Sequence, residues 1–222
     1  MKNIFNKKNI FITIFITIGL IAMQFKFTQI IGSNLKFSLF DFYGPIAGAF
    51  VGSVVGLVIV LGMQIINWMI NGFAVDLGTL IRFLPMLLAV IYFSHKTKWI
   101  LAVPTIAILA FWAHPEGRVA WYYALYWLIP IVMYFAYNKS LLARALGTTF
   151  TAHCVGSILF LYAFNLKSEV WLGLIPIVWK ERVLMALGIT LTFIAFNYAL
   201  SLVDKKIKLP KFVKLNPRYS TK

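Results

Sequence analysis

The chain has 222 residues, 61% hydrophobic and 12% charged, with a mean hydropathy of +0.86. A soluble domain would carry about a quarter charged residues, so composition excludes one and predicts an all-α, polytopic transmembrane helical bundle. Twenty-one Lys and Arg stand against six Asp and Glu, a formal charge of +15. These cations gather at the ends of apolar runs and form no stripe interleaved with aromatics, so they read as topology determinants facing the lipid bilayer and not as a nucleic-acid surface.

In chain order, Lys2, Lys7 and Lys8 precede an apolar stretch from Ile10 to Met23. No small-x-small cleavage site precedes Gln24, so a retained first helix is expected and not a signal peptide. Apolar runs follow at 45–70, 78–93, 99–113, 119–137, 141–164 and 182–203, after a first run at 9–31. Together they predict six to seven helices in a single transmembrane domain, 1–203. Val170 to Trp179 contains Pro176 and is too short to cross, so it reads as an interfacial or re-entrant piece. The basic segment 204–222 is expected to be a flexible cytoplasmic tail. With that tail inside, the tip 114–118 lies outside, while Ser94 to Lys98 and Asn138-Lys139 lie inside. Seven crossings would place the N-terminus outside; six, with one early segment re-entrant, would place it inside.

Between Phe40 and Trp68, Gly48, Gly52 and Gly56 repeat every four residues, which predicts one smooth helix face for close packing. Ala143 and Gly147 form a shorter version of it. The stretch Phe40-Asp41-Phe42-Tyr43-Gly44-Pro45-Ile46-Ala47-Gly48-Ala49-Phe50-Val51-Gly52 resembles the second-helix region of the S components of energy-coupling-factor transporters, with a Gly-Pro followed by small residues at four-residue spacing. The resemblance implies a small membrane protein, typically of six helices, that binds vitamins or metal ions from outside and relies on a membrane coupling subunit and separate ATPases. The first helix departs from that family's Ala-x-x-x-Ala docking pattern, because Gly19 and Ala22 are three apart.

Ionisable groups within or beside apolar runs are the candidate functional residues, because charge at membrane depth is costly and must meet a partner or a cargo. The turn His114-Pro115-Glu116-Gly117-Arg118 opens onto Trp121, Tyr122, Tyr123 and Trp127. Four-residue spacing would pair Tyr123 with Trp127 and Tyr122 with Tyr126 along a helix, an aromatic wall with a charged rim that suits a flat or cationic ligand. The plainer reading is an interfacial aromatic cluster capped by a solvated turn. Glu181 and Arg182 begin the last helix and serve either as a dipole partner and an anchor, or as ligand contacts. His153 falls near the middle of the 141–164 run, with Thr149, Gly156 and Ser157 on its face; an interhelical hydrogen bond or a ligand would satisfy it. Arg82, one turn before Pro85, is expected to pair with Asp41 or Asp76.

No cofactor is implied. Cys154 stands alone, so neither a disulfide nor a Cys/His metal set is available, and His114 and His153 lie at different depths. The chain has no phosphate loop, no His-Glu-x-x-His and no Gly-x-Ser-x-Gly, so no enzyme activity is expected. The leading expectation is a membrane-embedded, vitamin-like small-molecule binding subunit of a transporter in the cell membrane, without its own ATPase. Its substrate-binding candidates are His114, Glu116, Arg118, Trp121, Tyr122, Tyr123, Trp127, His153, Glu181 and Arg182. A membrane sensor or assembly scaffold, and an intramembrane lipid-modifying enzyme, are the alternatives.

Overall fold

A computed structural model describes residues 6–29, 36–73 and 75–221 and is an all-α bundle embedded in the membrane. Helix α1, Lys7–Gln24, starts where the Asn6 side chain accepts the amides of Lys8 and Asn9, which satisfies donors that a helix N-terminus leaves open. The first apolar run therefore stops being helical at Gln24, and a β-hairpin follows. Its strands β1, Lys26–Gln29, and β2, Lys36–Ser38, are antiparallel, with Lys26 opposite Ser38.

The run 45–70 is not one helix. Helix α2, Phe40–Tyr43, a 3₁₀ turn over Gly44–Ile46 and helix α3, Ala47–Val51, form a short arm. The chain then reverses at Gly52, whose φ of 87° lies in the region open to glycine at little cost. Helix α4, Ser53–Ile70, returns along the arm. The three glycines consequently do not share one helix face. Gly52 makes the turn, and Gly48 and Gly56 face each other so closely that a Cβ on Gly56 would lie 2.5 Å from the Gly48 Cα.

Helix α5, Leu77–Ile81, begins at Asp76, which accepts the Thr79 amide at 2.8 Å, and α6, Phe83–Ser94, continues it. Then come α7, Ala102–Ala113, the short α8, Pro115–Val119, and a 3₁₀ stretch, Trp121–Trp127, that leads into α9, Leu128–Ala136. Helix α10, Leu141–Phe164, precedes α11, Ser168–Ile207. Val170 to Trp179 is thus the opening of the 40-residue α11, with Pro176 inside it, and not a separate piece. At 1.5 Å per residue α11 is about 60 Å long, twice a bilayer core. Among the described residues five rods are long and apolar enough to span: α1, α4, the α5–α6 pair, α10 and α11; Lys98–Ala113 and Trp121–Ala136 are shorter apolar rods.

Hydrogen bonds fix the two faces of the bundle. Gln24 reaches Asn67 at 3.1 Å, Arg82 reaches the Lys36 carbonyl at 2.8 Å, and Lys167 reaches Glu116 at 3.0 Å, which gathers the hairpin and the tips near 71–73, 114–120 and 165–167 on one face. On the other, Ser53 meets Ser94 at 2.7 Å, Tyr137 donates to the Phe93 carbonyl at 2.9 Å, and the Lys7 ammonium donates to the Ile207 carbonyl at 2.8 Å. Both ends of the described chain lie on this second face. Seven rods alone would have separated them; the short arm supplies the additional pass.

The segment expected as a flexible tail folds back on that face. The Lys214 amide donates to the Phe50 carbonyl at 2.7 Å, Phe212 packs edge-on against Phe11, and Asn197 exchanges hydrogen bonds with the Asn216 backbone at 2.7 and 3.0 Å. Asn197 is fully buried, and a buried amide needs such partners.

Candidate functional site

Between α5–α6, α10, α11 and β2 lies a cavity of about 200 Å³. Helix α10 contributes Thr149, His153, Gly156 and Ser157, residues that its 3.6-residue period puts on one face. Helix α11 contributes Glu181 and Arg182, the 3₁₀ stretch contributes Tyr123, and the hairpin lays Phe37 over the top. Gly156 sits in a helix interior, where glycine costs roughly 0.5–1 kcal/mol relative to alanine. A Cβ there would meet only Pro85 Cγ, at 3.7 Å, so the glycine leaves open space that nothing in the packing requires.

Arg182 is 6% exposed, and its guanidinium is only loosely engaged. Nη1 is 3.4 Å from Thr149 Oγ1, Nη2 is 3.5 Å from Glu181 Oε2, and the Phe37 ring centroid is 5.0 Å from the central carbon. Its Nε is buried without a partner. Buried guanidinium donors are normally satisfied, and Arg182 lines the cavity. The strand above is held by two further contacts: Asp41 accepts the Ser38 amide at 2.7 Å, and Arg82 donates to the Lys36 carbonyl. Among the described residues Arg82 forms no ion pair with Asp41 or Asp76, contrary to the expected pairing, because each aspartate is engaged in its own local turn by Ser38 or Thr79.

His153 is held from behind. Trp127 Nε1, which can only donate, points at His153 Nδ1 at 3.2 Å. Nδ1 is therefore an acceptor and the ring proton sits on Nε2, an assignment made from the network. Nε2 faces the Tyr123 hydroxyl at 3.0 Å and the Ser157 hydroxyl at 3.4 Å. Tyr123 and Trp127 are fully buried and meet edge-on at 6.0 Å. The expected Tyr123–Trp127 pairing is present, and the 3₁₀ geometry, with three residues per turn, adds Tyr126 beside Tyr123 at 6.1 Å; Tyr122, expected beside Tyr126, is exposed and edge-on to Trp121.

The structure thus brings Tyr123, His153, Glu181 and Arg182 to one cavity with Trp127 behind them, and leaves five candidates outside. His114 caps α8 by accepting the Glu116 amide at Nδ1, and its ring lies against Tyr162. Glu116 binds the Lys167 ammonium at 3.0 Å and the Ser168 amide at 2.9 Å, so it caps the start of α11 from a different helix. Arg118 reaches the Ala113 carbonyl at 3.4 Å, and Trp121 and Tyr122 are exposed, edge-on to each other. Cys154 is buried packing, its thiol on the Thr151 carbonyl. Phe37, Phe160 and Trp171 line the cavity without having been anticipated, since nothing in their apolar surroundings separates them from ordinary wall residues.

The Lys167 hydrogen bond, then the Ser168 amide, hold the Glu116 carboxyl below the ordinary glutamate value. A carboxylate with a depressed folded value contributes stability above its unfolded pKa and loses it as pH falls through the folded one. Thermal midpoints measured on acidification should therefore show a drop below the ordinary glutamate range that Glu116→Gln lacks. A variant curve parallel to the wild type through that window would remove Glu116 from the cap.

No family model matches the chain, and no solved structure matches it. It is similar to an uncharacterised protein of Methanocaldococcus jannaschii, 26% identical over 193 residues that cover 76% of this chain and 65% of that one. The chain thus spans just under two thirds of that relative's length.

Proposed function

We propose that this chain is a membrane-embedded binding subunit that captures a small molecule in the α10–α11 cavity. It would pass the cargo on with a membrane coupling subunit and separate ATPases, as the likeness of residues 40–52 to transporter S components suggests. The observation that carries this reading is Arg182, a buried cation that lines a hollow and whose Nε has no partner. A charge at this depth costs several kcal/mol unless it is fully satisfied, and a bound acceptor satisfies it. Gly156, which leaves space at a cost in helix stability, supports the same reading. The lysines at 7, 8, 96, 98, 139, 205 and 206 gather on the face that carries the chain ends, against Lys26, Lys36 and Lys167 on the other, and the positive-inside rule favours the first face as cytoplasmic and the hairpin side as exterior. An acid–base role for His153 is disfavoured, because Trp127 occupies the lone pair a base would use.

The test is native mass spectrometry of protein purified from its own membranes, comparing wild type with Gly156→Leu, which fills the hollow while favouring the helix. A small molecule should accompany the wild type and be lost, by about tenfold or more, from the variant. Equal retention by both would place the ligand elsewhere.

A further inference from the structure

We infer that the ligand is a neutral, planar ring compound that presents hydrogen-bond acceptors, such as a carbonyl or a ring nitrogen, to Arg182 and to the hydroxyls beside His153. This inference rests on the binding-subunit reading and names its substrate class. Its first support is the direction of the hydrogen-bond chain. Trp127 donates to Nδ1, so the imidazole donates from Nε2 to the Tyr123 or Ser157 hydroxyl. The imidazole then has no lone pair for the ligand, and the hydroxyl that accepts from it turns its own hydrogen away from the ring. Both residues line the cavity. Arg182, whose five N–H groups reach only Thr149 and Glu181 among the described residues, adds further donors to the same wall.

The second support is the charge balance. The charged residues lining the hollow are Asp41, Glu181, Arg82 and Arg182, two of each sign. A carboxylate brought to Arg182 would sit beside Glu181, which already shares that guanidinium at 3.5 Å, and like charges in a poorly solvated site repel strongly. An ammonium drawn to Glu181 would likewise sit beside Arg182. A neutral acceptor meets the spare N–H groups of Arg182 without disturbing the balance, and a neutral group also avoids the desolvation penalty of an ion.

The third support is shape. The walls include the rings of Phe37, Tyr123, Phe160 and Trp171. A cavity of about 150 Å³ holds benzene, so about 200 Å³ suits a ring with small substituents. Planar walls of this kind favour a flat ligand over a branched one of equal volume.

Three isosteric probes test the inference: benzamide, benzoate and benzylamine, titrated at pH 7 by ligand-observed NMR against the full chain in lipid nanodiscs, with empty discs subtracted. Benzamide should bind about tenfold more tightly than either ion. Arg182→Met should reduce its affinity by about tenfold; Tyr123→Phe, which keeps the ring and so protects against a folding artefact, should reduce it about fivefold. If benzoate or benzylamine binds better, and Gly156→Leu abolishes that binding, the neutral-acceptor assignment falls and the binding subunit stands. If no probe binds at about 10 mM, a generous ceiling for a fragment of this size, or if Gly156→Leu leaves binding untouched, both fall.

Discussion

Gly56→Ala should lower the thermal midpoint sharply, whereas Gly62→Ala, six residues along the same helix, should raise it. The two substitutions add the same methyl group and gain the same helix propensity, roughly 0.5–1 kcal/mol. They differ only in what the methyl meets. At Gly62 nothing lies within 4 Å. At Gly56 the new Cβ would fall 2.5 Å from the Gly48 Cα and 2.6 Å from its nitrogen. A flexible side chain could swing aside, but backbone at the bend of a helical hairpin cannot. Overpacking typically costs about 1–3 kcal/mol where side chains take the strain, and here α4 must move off α3 as a whole, so a loss at the upper end of that range is expected. Gly56→Leu should then prevent the two helices from closing. Thermal unfolding in detergent, followed by tryptophan fluorescence, reads both signs in one experiment. If Gly56→Ala and Gly62→Ala shift the midpoint alike, the close approach of α3 and α4 is not a determinant of stability.

The same glycines show what could be read in the sequence and what could not. A four-residue spacing describes one face of a continuous helix, and it equally describes two helices meeting at the middle glycine. The difference lies in the φ of Gly52, which no residue pattern reports. The apolar runs were legible because the bilayer demands length and hydrophobicity, and most rods fall where those runs do. The hairpin was hidden because Phe25 and Phe27 carry apolar residues on past Gln24 and Lys26, so 9–31 reads as one run. In the site, Arg182 and His153 stood out as costly groups at membrane depth, and both lie at the cavity. Glu116 stood out for the same reason, yet its partners Lys167 and Ser168 are fifty residues away in sequence, so its capping role depended on a tertiary contact. Trp127 looked like a ligand wall; only the geometry of its indole N–H makes it the group that orients His153.

Arg144→Met should destabilise the bundle by about 2 kcal/mol, although among the described residues no carboxylate pairs with this arginine. Arg144 lies in the first turns of α10, where the helix dipole disfavours a cation, so tertiary contacts must hold it there. Its Nε and Nη2 both donate to the Phe93 carbonyl at the end of α6, and its guanidinium lies 4.2 Å from the Phe93 ring centroid, 4.9 Å from Tyr137 and 5.8 Å from Phe193. One side chain thereby ties α6, the turn after α9, and α11 together on the face where the chain ends meet. A charge-assisted hydrogen bond contributes about 1.5–3 kcal/mol and the ring contacts about 0.5–2 kcal/mol. Against these stands the desolvation of the guanidinium, which methionine escapes. The Phe93 carbonyl also keeps its bond from Tyr137, so the variant leaves no orphaned acceptor. The net loss is therefore smaller than the gross terms suggest. Lysine should recover little of it, since a point charge cannot fork onto the carbonyl and lie flat against three rings together. Because these contacts are shielded from solvent, the difference in thermal midpoint between wild type and Arg144→Met should change little between low and high salt. A methionine variant as stable as the wild type would leave Arg144 with topology alone, as a cation that keeps its loop on one side of the membrane.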